Sequence, residues 1–241
     1  ILFGAEAESL RPLIERNPTL TLDSVSPDVI VCYGGDGTLL SAELQWPGVP
    51  KVPIRNSRRG NRCIPHPPGA VIERMAAGTL ARTEFLKIEC RVQFKDGSRP
   101  PLLLTSMNEF NVHMGHINAA VRFKLWLDND PYLDGREILG DGLVVSTPFG
   151  STAYFTQITR GIFHAGLGIA FKNTTELTSH LVLPASVVVR ILITRGPAVL
   201  AFDNSPEYIN LGEGDVLEVR KHEHCATILT WDCVAHPTDA F

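Results

Sequence analysis

Long apolar runs are missing from this chain, and none approaches the roughly 20 residues that a membrane-spanning helix needs. Excess positive charge is missing too. The 22 Lys and Arg stand against 26 Asp and Glu, a net charge of −4, so no overall field draws nucleic acid. Cysteine is sparse and scattered. Cys32, Cys63, Cys90, Cys225 and Cys233 are odd in number and show no C-x-x-C spacing, which reads as structural thiols in a reducing compartment rather than a disulfide framework. No signal-peptide pattern stands at the N-terminus, which opens at Ile1 rather than Met, and the expected location is cytoplasmic. There is no internal repeat, no low-complexity segment and no basic amphipathic helix to lie on a membrane. What remains is an ordinary globular balance, 44% hydrophobic and 20% charged, over 241 residues. That length suffices for one large domain or two small ones.

The character of the chain changes near Phe85. Before it, strand and helix patterns alternate. Asp28 to Tyr33 and Lys51 to Ile54 read as strands, Thr38 to Gln45 and Gly69 to Ala77 as helices. This order predicts an α/β domain with a Rossmann-like parallel sheet. After it, Leu86 to Phe94, Leu102 to Thr105, Val121 to Leu127, Leu143 to Ser146, Val187 to Thr194, Val199 to Phe202, Val216 to Arg220 and Thr227 to Leu229 read as strands. Several alternate apolar and polar residues, as half-buried antiparallel strands do. The expected domains are 1–85, an α/β domain, and 86–229, an all-β, sandwich-like domain, with 230–241 a tail able to return to the first. A ligand cleft between the two is the expectation.

The segment Gly34-Gly35-Asp36-Gly37-Thr38 directly follows the apolar run Val29 to Tyr33. Glycines let a backbone come close to a ligand and adopt positive φ without steric penalty. Exposed N–H groups leading into a helix form a phosphate cradle. An aspartate among such amides repels phosphate unless it binds a cation or removes a proton. The turn therefore points to phosphoryl transfer, with Asp36 as base or metal contact. The bland alternative is a tight strand-to-helix turn in which Asp36 or Thr38 caps the helix.

Two later segments add to it. Asn108-Glu109 follows a strand. Its carboxylate can accept hydrogen bonds from a ribose diol, and its amide can donate to and accept from an adenine edge. Then Asp141-Gly142-Leu143-Val144-Val145-Ser146-Thr147-Pro148-Phe149-Gly150-Ser151-Thr152-Ala153-Tyr154 runs from strand through a small polar turn to a helix start. Ser151 and Thr152 can cap that helix or bond a ligand, and Tyr154 can stack on a flat ring. His222, His224 and Cys225 form an H-x-H-C group without an obvious fourth ligand, read as a strand end with metal binding a minor alternative. No metal-ligating residue is assigned.

Taken in this order, GGDGT, N-E and the D-G-L-V-V-S-T-P-x-G-S-T-A-Y stretch resemble the NAD kinase family. The resemblance implies an α/β N-terminal and a β-sandwich-like C-terminal domain. It also implies transfer of phosphate to the 2′-hydroxyl of the adenosine ribose of NAD, giving NADP. ATP or polyphosphate would be the donor, with Mg²⁺ or another divalent metal as cofactor. Carried over by position, Asp36 is the general base, and Gly34, Gly35, Gly37 and Thr38 shape the nucleotide turn. Asn108 and Glu109 hold NAD, and Asp141, Ser151, Thr152, Ala153 and Tyr154 complete its pocket. The resemblance implies a homodimer or homotetramer, with no nucleic-acid or membrane partner.

The chain departs from the family at Asn56-Ser57-Arg58-Arg59-Gly60-Asn61-Arg62-Cys63, where a glycine-rich apolar segment is usual. Asn56 is retained. Arg58, Arg59 and Arg62 read either as a solvated basic loop or as a phosphate clamp, with Asn56, Arg58 and Arg59 as candidate ligand contacts. Phe149 stands where Thr or Ser is common, and Arg160 where glycine is usual. Two other functions compete: a lipid kinase of the diacylglycerol or sphingosine type, which shares GGDGT but not the later motifs, and a non-catalytic NAD- or NADP-binding homologue.

Overall fold

The structure, a computed structural model, describes residues 1–58, 60–97 and 99–232. It divides into two compact units, one of residues 1–85 with 224–232, the other Leu86–Glu223, and the expected tail lies outside the described residues from 233 on. None of the helices of the described residues is long and apolar enough to cross a membrane.

The first unit is built on a five-stranded sheet in the order Leu2–Phe3, Ile30–Gly34, Lys51–Arg55, Ala226–Thr230, Ala81–Phe85. The first four strands run parallel, and Ala81–Phe85 runs antiparallel beside Ala226–Thr230. The strand at Ala226–Thr230 corrects the sequence expectation, which placed residues up to 229 in the β-rich domain. Its alternation looks the same in either sheet. Only pairing partners separate the two, and these lie some 145 residues away at Ala81–Phe85. Ile14, Val31, Val52, Ile54, Val71 and Ile72 form the core of this unit.

The helix Asp36–Gln45 is anchored to the sheet by a buried ion pair. Lys51, fully buried on its strand, pairs with Glu43 and donates to the Trp46 carbonyl at 2.7 Å. A charge buried this deeply needs such partners, and losing one partner costs about 3–5 kcal/mol. The pair therefore fixes the helix whose first residue is Asp36.

The second unit is a sandwich of two antiparallel sheets. One runs Ile138–Gly140, Val121–Leu127, Val189–Arg195, Val216–Lys221, Ile88–Gln93, Leu102–Ser106, with Asp130–Pro131 paired to Val121–Leu127. The other runs His180–Leu183, Leu167–Lys172, Gly142–Ser146, Glu109–Met114, Ala198–Phe202, Ile209–Leu211. Alternate residues point inward, so Phe110, Val112, Leu143, Val145, Leu167 and Ile169 meet Phe123, Leu125, Val189, Ile191, Leu217 and Val219 in one core. The intervening residues of the second sheet, among them Glu109, Asn111, Val144 and Ala170, face outward. There Val144 and Ala170 pack with Phe155 and Phe163 from the short helix Tyr154–Thr159 and the segment after it.

Candidate functional site

In the first unit the strand Ile30–Gly34 empties directly into the helix Asp36–Gln45, with Gly35 as the extended residue before it (φ −113°, ψ −170°). The expectation that these glycines supply positive φ is not met, because none of Gly34, Gly35 and Gly37 adopts it. Close approach is the reason for Gly34 instead. A Cβ there would stand 2.3 Å from Thr38 Oγ1.

Asp36 is the first helical residue, yet no side chain caps this helix. Its carboxylate instead reaches the loop after the third strand. Oδ2 accepts the Asn61 N–H at 3.0 Å, and Oδ1 accepts the Arg62 N–H at 2.9 Å. The Cys63 thiol lies 3.5 Å from Oδ1 and donates to it. Burial, and then the Asp36 charge, push that thiol far above its ordinary range, so it stays protonated. Burial pulls the Arg62 guanidinium down, against the neighbouring Asp36 charge.

The candidate clamp residues are placed differently from one another. Asn56 has a structural part: its N–H donates to the Gly34 carbonyl at 2.8 Å and its amide to Glu6 Oε2 at 2.8 Å. Arg58 is exposed, whereas Arg62 is half-buried near Asp36. Arg59 lies outside the described residues.

In the second unit the N-E and S-T-P motifs are joined in one hydrogen-bond network. Asp203 is its hub, held at a φ of 44°. It accepts the Met107 N–H at 2.8 Å, the Asn108 N–H at 2.7 Å and the Ser106 hydroxyl at 2.5 Å. From the other side, the Thr147 N–H donates to the Asn108 carbonyl at 2.9 Å, and the Thr147 hydroxyl to the Met107 carbonyl at 2.6 Å. Gly150 then closes against this turn, where a Cβ would stand 2.2 Å from the Asn108 oxygen. Sequence reading gave no role to Asp203, Thr147 or Gly150. Nothing local to Asp203 in the sequence shows that it reaches back almost a hundred residues.

The network delivers Glu109 in an unusual state. It is buried, and its Oε2 meets no hydrogen-bond partner. Burial first, and the Asp203 charge second, push its carboxyl up to about 8. Burial raises Asp203 as well, against the four hydrogen bonds that favour its charged form. An orphaned buried carboxyl oxygen suits a ligand that brings hydroxyl donors.

Of the remaining pocket candidates, Asp141 accepts from the Asn173 amide at 3.1 Å, and Tyr154 is half-buried beside the Phe155 cluster. Ser151 is buried, and its hydroxyl lies within bonding distance of the Pro148 and Phe163 carbonyls, so it supports the turn. Thr152 is half-buried, with a long bond to the Phe149 carbonyl at 3.4 Å. Neither hydroxyl caps the following helix, whose N-cap is Ala153. Phe149 is buried, so its bulk goes inward. Arg160 takes the left-handed C-cap of that helix (φ 61°, ψ 14°), a conformation that glycine adopts freely. No group of three or more His, Cys, Asp or Glu among the described residues converges as a metal site, the H-x-H-C group included.

Residues 107–230 match the family model of the ATP-NAD kinase C-terminal domain. The NAD kinase of Methylococcus capsulatus is 30% identical, with the alignment covering 99% of this chain and 82% of that protein. The chain belongs to the NAD kinase family. The NAD kinase of Nitrosococcus oceani is 28% identical over 80% of this chain and 68% of its own length. Two solved NAD kinase-type structures share the fold. Yeast NADH kinase, crystallised with NADH, gives a TM-score of 0.76 at 20% identity, over 86% of this chain and 63% of its own. An NAD kinase from Archaeoglobus fulgidus, in complex with ATP, gives 0.75 at 17% identity, over 95% and 91%.

Proposed function

We propose that this member of the family phosphorylates the 2′-hydroxyl of the adenosine ribose of NAD to make NADP. The single observation that carries the reading is the buried, unpartnered Oε2 of Glu109, fixed by Asp203 and the S-T-P turn. A ribose diol supplies the donors that this oxygen lacks. Asn108 holds the same nucleotide, and Asp141, Thr152, Ala153 and Tyr154 line its pocket, with the Tyr154 ring against the base. Asp36 takes the proton from the 2′-hydroxyl as that oxygen attacks the terminal phosphorus of the donor. It is suited to this because its carboxylate is oriented by the Asn61 and Arg62 main chain and does not cap its own helix.

The donor is ATP or polyphosphate, with the exposed Arg58 in the donor's reach. Mg²⁺ is held characteristically by substrate phosphates with one or two carboxylates, so it would come with the donor. On the donor phosphates Mg²⁺ would supply charge neutralisation, so that they tolerate Asp36 nearby. The active form is a homodimer or homotetramer in the cytoplasm.

The test is NADP formation from NAD and Mg²⁺-ATP, read by an NADP-specific dehydrogenase, in the wild type and in Asp36→Asn. Turnover that falls at least a thousandfold in the variant while NAD affinity holds is the expected result. An Asp36→Asn enzyme of full activity would remove Asp36 from the base role, and a folded wild type that makes no NADP would overturn the function.

A further inference from the structure

One cation on the outer face of the sandwich has no part in the chemistry above. Lys172 closes the strand Leu167–Lys172 and is 6% exposed. The register sets Gly142 opposite Lys172 and His113 opposite Gly142, so the two basic residues share a face across a residue with no side chain. Lys172 Nζ donates to Asn111 Oδ1 at 2.5 Å and lies 5.8 Å from the centre of the Tyr154 ring. An ammonium carries three donors, and the described residues accept one. Asp141 is close enough to favour the charged form, but burial outweighs it and pulls Lys172 down to about 7. A buried cation with two open donors therefore sits beside a ring suited to stacking on a base.

We propose that Lys172, seated by Asn111, forms a phosphate-binding subsite for the dinucleotide next to Tyr154. The proposal rests on the NAD reading above. A compact ammonium is a point-charge ligand for phosphate. Phosphate oxygens fill both open donors, and their charge offsets the burial that disfavours the protonated amine. Neither a base nor a sugar hydroxyl brings that charge, so the contact selects for the phosphorylated part of the ligand.

The experiment is calorimetric titration of NAD into the wild type, Lys172→Met and Lys172→Arg, with KM for Mg²⁺-ATP measured in all three. Loss of a charge-assisted contact weakens NAD binding about tenfold in Lys172→Met, while Lys172→Arg stays within a few-fold of the wild type and KM for ATP is unchanged in both. The melting temperature of Lys172→Met should hold or rise, because a buried charge is removed without loss of volume. Unchanged NAD affinity in Lys172→Met overturns the subsite. So does an equal loss for NAD and ATP, which reports a distorted fold, or a Lys172→Arg protein as weak as Lys172→Met. A wild type that binds no NAD would remove the NAD reading itself, a result distinct from any of these.

Discussion

Glu109 should make the protein less stable as pH rises through neutrality, and Glu109→Gln should abolish that slope. Burial and the Asp203 charge raise its carboxyl from an ordinary 4.5 to about 8. Below pH 4.5 the group is protonated in folded and unfolded chains alike and contributes no pH dependence. Between 4.5 and 8 the unfolded chain releases the proton and the folded chain keeps it, so stability falls with pH. Above 8 the loss is complete. Each tenfold change in proton affinity is worth about 1.4 kcal/mol, so the displacement amounts to roughly 5 kcal/mol at most. Relaxation around the buried charge brings the observable part to about 2–4 kcal/mol. Glutamine keeps the shape of the neutral acid and cannot ionise. Urea unfolding followed by tryptophan fluorescence at pH 5, 6, 7 and 8 measures the comparison. The stability difference between Glu109→Gln and wild type should grow steadily with pH in favour of the variant. Parallel pH profiles for the two proteins would refute the placement of Glu109 as a buried, unpartnered carboxyl.

Two glycine-related positions give further outcomes. Gly150→Ala places a methyl 2.2 Å from the Asn108 oxygen and 2.7 Å from its Cα, both main-chain atoms that cannot swing away. A loss of about 1–3 kcal/mol in thermal unfolding is expected, with a raised KM for NAD, and wild-type values for both would show that the turn is not tightly packed there. Arg160→Gly should act in the opposite direction. Arg160 holds a φ of 61°, where a side chain costs about 1–2 kcal/mol and glycine nothing. The variant should gain about 1 kcal/mol in denaturant unfolding, and a loss would mean that the arginine side chain contributes more than its backbone strain removes.

Much of the first unit could be read from its sequence because its signals are local. The apolar strand, the glycine turn and the helix Asp36–Gln45 follow one another within some 16 residues, Ile30 to Gln45, and each is set by its own composition. The sandwich was readable as a class, since alternation marks half-buried strands, but its pairing was not. Glu109–Met114 and Leu167–Lys172 were missed as strands. The first does alternate, Phe110, Val112 and Met114 against Glu109, Asn111 and His113, but its leading residue belongs to the Asn108-Glu109 pair, which reads as a ligand-binding dipeptide after a strand. The second is buried along its whole length and shows no alternation. The site shows the same division. Asp36, Asn108 and Glu109 stand out as residue types in a motif. Asp203 and Lys172 owe their surroundings to strand pairings that bring positions about 60 to 100 residues apart within hydrogen-bond reach.

The loop Asn56–Cys63 carries arginines where the family resemblance leads one to expect small and apolar residues, yet the geometry of its described residues explains how Asp36 is left in place. Among the described residues, main-chain N–H groups at Asn61 and Arg62 donate to the carboxylate. Such donors belong to the path of the backbone and not to the side chains, so arginines can replace small and apolar residues without removing them. The path is set elsewhere. The Asn56 N–H is tied to the Gly34 carbonyl, and the Ile64 N–H to the Pro53 carbonyl at 2.7 Å, which brackets the loop between the glycine turn and the third strand. Among the described residues, the Cys63 side chain adds a weak thiol donor at 3.5 Å, and the half-buried Arg62 guanidinium adds its charge nearby. Substitution within this loop therefore acts first on whatever ligand the loop meets and only second on the orientation of the base. That ordering favours a kinase with an altered donor contact over a homologue that has lost its chemistry.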